Sequence, residues 1–276
     1  MSSAYRLAMG LVFFGATLRA AANPSLRICS DPNNMPFSNR KGDGFENKIA
    51  RLIAKDMGMS VSYFWLPQRE KFFKQTLKSG ACDVVMGVPA GFDQAATTRP
   101  FYRSSYVFVS RQEDNLQITS FDDPRLRSLR IGVHILGDGG DSLPPVHALT
   151  TRGIIRNLVG YSIFGNLAEA NPSADLIAAV TKKAVDVAVV WGPLGAYLAQ
   201  HAKVPLYITP IERDAAHPDL PLSFDICLGV REGDASLKDR LNTELIRRHA
   251  EIERILTSYG LPRQGKFAAT MSIAGR

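Results

Sequence analysis

The chain has little cysteine. Cys29, Cys82 and Cys227 are three among 276 residues, and no two of them form a C-x-x-C pair. A C-x-x-C redox or metal motif is therefore excluded, and two readings stay open for the three thiols: small buried hydrophobes, or one bridge in an exported chain. Histidine is scarce as well. His134, His147, His201, His217 and His249 show no H-x-x-H or H-E-x-x-H pairing, so no metal site is expected. No G-x-S-x-G, P-loop or G-x-G-x-x-G stands at a strand-to-helix turn, and no cysteine has a matched base. Catalysis has no visible carrier, so the expectation is a chain that is not an enzyme and binds no cofactor of its own. No basic helix with interleaved aromatics tracks phosphates, which argues against nucleic acid. No run, the N-terminal one included, reaches the ~20 apolar residues of a spanning helix, so no membrane insertion is expected.

What is present is the composition of a folded protein, 45% apolar and 21% charged. The start, MSSAYRLAMGLVFFGATLRAAANP, places Arg6 before an apolar run from Leu7 to Leu18 and offers Ala20 and Ala22 as an A-x-A cleavage site. Residues 1–22 read as a signal peptide cleaved near Ala22, which makes the mature protein soluble and exported. The formal charge of +7 then falls to +5 with the loss of Arg6 and Arg19.

Leu26 to Ser30 reads as a strand followed by the turn-rich loop DPNNMPFSNRKGDG. Phe45, Ile49, Leu52, Ile53 and Met57 fall on one helical stripe that Gly58 ends. Val61, Tyr63 and Trp65 alternate as a strand, residues 69–78 read as a basic helix, and Val84 to Val88 is a continuous apolar strand. This alternation predicts a parallel sheet with crossover helices. The pattern restarts with a strand at Leu129–Ile135, the Gly-rich turn GDGGD, helices near 145–157 and 173–183, and a buried strand from Ala184 to Trp191. Pro193–Ala202 reads as helix, Pro205–Ile208 as extended, and Phe224–Val230 as strand. Leu237, Leu241, Leu245, Ile252 and Leu256 mark a long amphipathic helix.

Charge divides unevenly along this plan. Residues 111–222 hold 10 basic and 12 acidic side chains, and the rest of the mature chain 21 and 14. The break suggests a discontinuous first lobe, 23–108 with 223–276, and a second lobe, 109–222, inserted between crossing strands near Val107 and Phe224.

An α/β lobe interrupted by a second one, with DVVMGV, a loop and then PFYRSSYVFV, resembles the type II periplasmic solute-binding proteins. RICSDPNNMPFSNRKGDGFENKIA, CDVVMGVPAGFDQAATTRPFYRSSYVFV, HILGDGGDSLPPVHALTTRGI and VDVAVVWGPLGAYLA are similar to the quinoprotein-dehydrogenase-associated branch, the J proteins of methanol dehydrogenase gene clusters. The resemblance implies a two-lobed fold with a parallel-rich sheet in each lobe and a cleft at the carboxyl ends of the strands. It also implies a periplasmic, non-catalytic accessory that binds a PQQ-dependent methanol dehydrogenase, or its cytochrome c, during activation or maturation. A second class stays open, a solute receptor delivering a small apolar or weakly polar ligand to an ABC-type transporter.

The strand ends supply Asp31, Asn33, Phe37, Pro89, Phe92, Gly137, Asp138 and Trp191 as cleft candidates, with Tyr102 and Arg103 beside them. Amino-acid binders of this fold set an Arg after the DVVMGV-like strand for the ligand carboxylate. Here that position falls at or beside Gly91. They set an Asp five residues after the VDVAVV-like Asp for the ammonium, and here that position is Trp191. The resemblance thus implies a cleft too apolar for a free amino acid. GDGGD reads as a plain turn rather than an anion cradle or calcium loop. Lys71, Lys74 and Lys78 offer a positive face to an acidic partner. Cys29 and Cys82, on strands that neighbour in a βαβαβ unit, are expected to be able to bridge and to leave Cys227 free.

Overall fold

The computed structural model describes residues 24–135, 143–163, 171–262 and 271–273. The expected signal peptide, residues 1–22, lies outside the described residues, and so do Gly137 and Asp138. In chain order the elements are β1 (Ser25–Ser30), β2 (Asn33–Asn34), β3 (Ser38–Asn39), α1 (Phe45–Asp56), β4 (Ser60–Trp65), α2 (Phe72–Gln75), β5 (Val84–Pro89) and β6 (Ala96–Arg111). There follow β7 (Ile131–Ile135), α3 (Pro144–Thr150), β8 (Leu158–Ser162), α4 (Asp175–Thr181), β9 (Val187–Trp191), α5 (Gly192–Gln200) and β10 (Leu206–Ile211). The chain continues with β11 (Ser223–Val230), α6 (Ala235–Arg247), α7 (His249–Ser258) and β12 (Met271–Ile273).

A ten-stranded mixed sheet runs β4-β1-β5-β11-β6-β9-β7-β8, with β10 on β6 and β12 on β10; β2 and β3 form a separate hairpin. Its two ends repeat one design. β1 lies parallel to β4 and β5 at one end, and β7 lies parallel to β8 and β9 at the other. Helices α1 and α2 make the crossovers of the first trio, α3 and α4 those of the second. The 16-residue β6 joins the ends: its first half pairs with β11, and its second half with β9 and β10.

The apolar stripe of α1 packs on the first trio. Phe45, Ile49 and Ile53 are fully buried with Leu26, Ile28 and Val84 of the sheet, and α6 and α7 add Leu241, Leu245 and Ile252 to that core. The second end of the sheet is covered by apolar side chains on both faces: Val107 of β6 and Val190 of β9 pack with Leu176 of α4 on one, and Phe108 of β6, Ile131 of β7 and Val189 of β9 pack on the other. This is the continuous apolar pattern of strands covered on both sides. Cys29 and Cys82 are joined by a disulfide with Cα atoms 5.3 Å apart, and Cys227 is a free buried thiol on β11.

Three elements differ from the sequence reading. The basic helix expected over 69–78 is the single turn α2, because the Thr76 hydroxyl donates to the Phe72 carbonyl at 2.7 Å and the backbone leaves helical angles at Thr76. Lys71, Lys74 and Lys78 are all exposed, yet only Lys74 sits within the helix. The long C-terminal helix breaks at Arg248, whose guanidinium donates to Asp56 at the end of α1 and to Glu251, pulling the backbone out of register. The helix near 145–157 stops at Thr150, since Gly153 turns the chain at φ +74° and releases it into β8, a strand the sequence reading had not placed.

Candidate functional site

Two adjoining chambers open where the two ends of the sheet meet. Asp31, Asn33, Arg69, His134 and Ser173 line one of about 180 Å³. Glu46, Tyr102, Tyr106 and Phe224 line one of about 300 Å³, at the lower bound of small-molecule pockets. Phe37, Gln68 and Trp191 border both, so the two form one cleft.

The loop after β1 builds the first wall. Asp31 accepts the backbone N–H groups of Asn33 and Gln68, each at 2.8 Å, which ties this loop to the one after β4. Phe37 N–H donates to the Asn34 carbonyl at 2.8 Å and closes the β2-β3 hairpin that presents the Phe37 ring. Pro36 and Phe37 carbonyls then accept from Phe45 N–H and Glu46 N–H at 2.8 and 3.0 Å, clamping the start of α1 to the loop. Gly44 permits this approach, because a Cβ there would fall 2.0 Å from the Phe37 carbonyl oxygen.

The aromatic wall comes from the joining strands. Trp191 ends β9 in register with Tyr106 of β6, their rings 5.4 Å apart at 70°, and Phe224 of β11 meets the Trp191 ring at 5.8 Å and 67°. Phe37 rests edge-on against Phe45, which in turn holds Tyr102. Burial pushes the Tyr106 hydroxyl up to about 12 and the His134 imidazole down to about 4, the latter against a 3.3 Å contact with the Ser173 carbonyl. Both groups are neutral at pH 7.

Glu46, the second residue of α1, is 9% exposed and borders the larger chamber. Burial, with the nearby charge of Asp31, pushes its carboxyl up to about 8. Gly87 on β5 leaves room for that carboxyl: a Cβ at this position would fall 2.5 Å from Glu46 Oε1.

Of the residues read from the sequence, the cleft gathers Asp31, Asn33, Phe37, Pro89, Tyr102 and Trp191. Phe92 is a correction. Gly91 adopts φ +73°, and the Phe92 ring lies 4.8 Å from that of Phe73, in the cluster around the disulfide rather than in the cleft. Arg103 also faces elsewhere. It pairs with Asp225 at 3.0 Å, donates to Ser223 at 2.7 Å, and borders a separate cavity with His249 and Glu253. Sequence reasoning passed over Glu46, Gln68, Tyr106 and Phe224; His134, which follows a strand and could from sequence either face the cleft or be structural, lines the smaller chamber. The available signal for Glu46 was its place three and seven residues before Ile49 and Ile53, a charge on the buried stripe.

Among the described residues no group of His, Cys, Asp and Glu is placed to hold a metal ion, and no helix is long and apolar enough to cross a membrane. The model of the bacterial extracellular solute-binding proteins, family 3, matches residues 26–262. Protein MoxJ of Methylorubrum extorquens is 31% identical over 258 residues, covering 90% of this chain and 86% of that protein. Protein MoxJ of Paracoccus denitrificans is 28% identical over 260 residues, 90% of this chain and 94% of that one. The crystal structure of the periplasmic binding protein XoxJ from Methylobacterium extorquens AM1 aligns with a TM-score of 0.71 at 35% identity, over 87% of this chain and 100% of that one.

Proposed function

The chain belongs to the bacterial extracellular solute-binding proteins, family 3, and from that membership we propose that it is a non-catalytic periplasmic accessory of a PQQ-dependent methanol dehydrogenase. It binds the enzyme, or its cytochrome c, and assists activation or maturation in methanol oxidation. Likeness to MoxJ and XoxJ along nine-tenths of the chain supports the reading. The observation that carries it is Trp191, a large ring at the end of β9 where amino-acid binders of this fold keep a carboxylate, bordering both chambers of the cleft. A zwitterion placed in the larger chamber would bury its carboxylate with no basic side chain to receive it, at a cost of several kcal/mol. An apolar cleft mouth suits a protein partner whose binding energy comes from buried aromatics.

In this reading the signal peptide ends near Ala22, residues 23–108 with 223–276 form one lobe, and residues 109–222 form the other. Lys71, Lys74 and Lys78 steer an acidic partner toward the first lobe. The test is surface-immobilised kinetics of wild type and Trp191→Ala against purified dehydrogenase. The variant should lose affinity at least about tenfold, mostly through faster dissociation. Absence of wild-type binding at any salt concentration would sink the reading and advance the solute receptor.

A further inference from the structure

A carboxyl that is nine-tenths buried and has no hydrogen-bond partner is costly, because desolvation penalises it in either protonation state. Glu46 comes near that position: the residue is 9% exposed, and its carboxyl keeps only the contact that the chamber allows. Its backbone N–H is held by the Phe37 carbonyl, but its carboxyl has no partner among the described residues and borders the larger chamber. The remaining polar groups around that chamber are few: Asn34, Gln68 and the hydroxyls of Tyr102 and Tyr106. No basic side chain lines it. Arg69 lines the adjoining chamber instead, beside Asp31. The larger chamber thus has one acid, no base and five rings, Phe37, Tyr102, Tyr106, Trp191 and Phe224.

We propose that the larger chamber is a binding site for a small alkylammonium ion, whose N–H groups donate to Glu46 while its hydrocarbon body lies against the Trp191, Tyr106 and Phe224 rings. A cation within about 6 Å of an aromatic face is attracted by the ring quadrupole, most strongly where water is excluded. A charge-assisted hydrogen bond to the carboxylate supplies the direction that rings alone do not. The same chemistry disfavours amino acids in this chamber: their carboxylate would meet Glu46, and no basic side chain lines the chamber to receive it. Gly87 fits this assignment, since any side chain there would occupy the space of the carboxyl. The inference rests on the chamber alone and does not depend on a dehydrogenase partner.

Protonation gives the site a signature. The charged or titratable groups facing Glu46 are Asp31 from the loop after β1, Tyr63 from β4 and Tyr102 from β6. Burial raises both tyrosine hydroxyls, and the Glu46 charge adds to it, so both keep their protons. Asp31 is the charged neighbour, and it opposes ionisation of Glu46. The empty site therefore holds a protonated Glu46 below about 8, and a bound ammonium must expel that proton. Affinity should rise up to about tenfold per pH unit from pH 6 to 8 and level off above.

The experiment is calorimetry of the full chain with n-butylammonium, n-butanol and leucine as probes, at pH 6, 7 and 8.5 in buffers of different ionisation enthalpy. Saturable binding of n-butylammonium alone is expected, with release of nearly one proton at pH 7 that falls to about a quarter of a proton at pH 8.5. Glu46→Gln should weaken it by about 10- to 100-fold, the loss of a charged hydrogen bond. If that variant fails to fold, the wild-type proton release still decides the matter. No butylammonium binding at pH 8.5, equal binding of butanol, or binding without proton release would each overturn the assignment.

Discussion

The two ends of the sheet stand on the same foot and carry different heads. At one end Arg27 lies in β1 and Asp83 precedes β5; at the other Arg130 precedes β7 and Asp186 precedes β9. Arg27 donates to Asp83 through its backbone N–H, Nε and Nη2 at 3.3, 2.9 and 2.5 Å, and Arg130 donates to Asp186 through the same three groups at 2.8, 3.1 and 2.6 Å. In return each Asp N–H donates to the carbonyl of its arginine, at 2.7 and 2.9 Å. Each bond set fixes the register of a parallel strand pair at its amino end. The carboxyl ends diverge. β5 ends near a glycine-walled carboxyl, and β9 ends in Trp191. The difference shows that strand register and cleft chemistry are set by separate residues, so the heads can change while the feet stay.

The feet are not braced equally, and breaking the braces sharpens the comparison. The Cys29–Cys82 bond closes a segment of 53 residues at the first foot. Cys29→Ala/Cys82→Ala should lower unfolding free energy by about 4 kcal/mol, the loop-closure value for that length. Urea unfolding measures it. Amide exchange should quicken in β1 and β5 while β7 and β9 keep their protection; equal loss at both ends would mean one cooperative unit and would dissolve the comparison.

Smaller effects belong to the carboxylates. Asp186 also lies 3.8 Å from Arg111, which is 4% exposed and donates to the Val180 and Val185 carbonyls. Asp186→Asn takes a negative partner from a buried guanidinium, whose other acids are Glu113 and Asp114, and should cost about 3 kcal/mol. Asp83→Asn should cost about 1.5 kcal/mol, since Arg27 and Arg231 both reach water. Bonds from Arg130 hold the Asp186 carboxyl below its usual range. Burial raises Asp83, but bonds from Arg27 and Arg231 outweigh it, so it too is held low. Stability from both is thus present above the unfolded value of ~4 and is lost as pH falls through the lower folded values. Each variant should flatten the acid limb of the stability profile, Asp186→Asn more.

Much of this was legible in the sequence because apolar periodicity reports one-sided and two-sided burial directly. The stripe of α1 and the runs at Val84 and Val187 carry such signals. Breaks set by long-range polar contacts were not legible. Arg248 ends α6 only because Asp56, 192 residues away, lies within reach. In the cleft, the residues at strand ends could be read from their place in the fold, while Tyr106 and Phe224 could not, since nothing in a strand pattern says which face of β6 or β11 meets Trp191. Phe92 was misplaced for the same kind of reason: the direction of a loop depends on one positive φ at Gly91.

The smallest expected effect on stability concerns charge, where the two parts also differ. Residues 111–222 carry a small acidic excess and the rest of the chain a basic one. Reversing Lys71, Lys74 and Lys78 to Glu touches three exposed side chains, so unfolding free energy should stay within about 0.5 kcal/mol of wild type. Association with an acidic dehydrogenase, the partner proposed above, should respond differently. Rim charges act on encounter through a field that salt screens, so at low salt the triple variant should associate about tenfold more slowly, and its rate should depend less on ionic strength. Lys182, Lys203 and Arg213 are exposed within the acidic part and supply a control with the same change in net charge. If the partner reads the basic face, the control should retain most of the wild-type rate. Equal slowing by both triples would mean that overall charge is read, and the division between the two parts would carry no information for the partner.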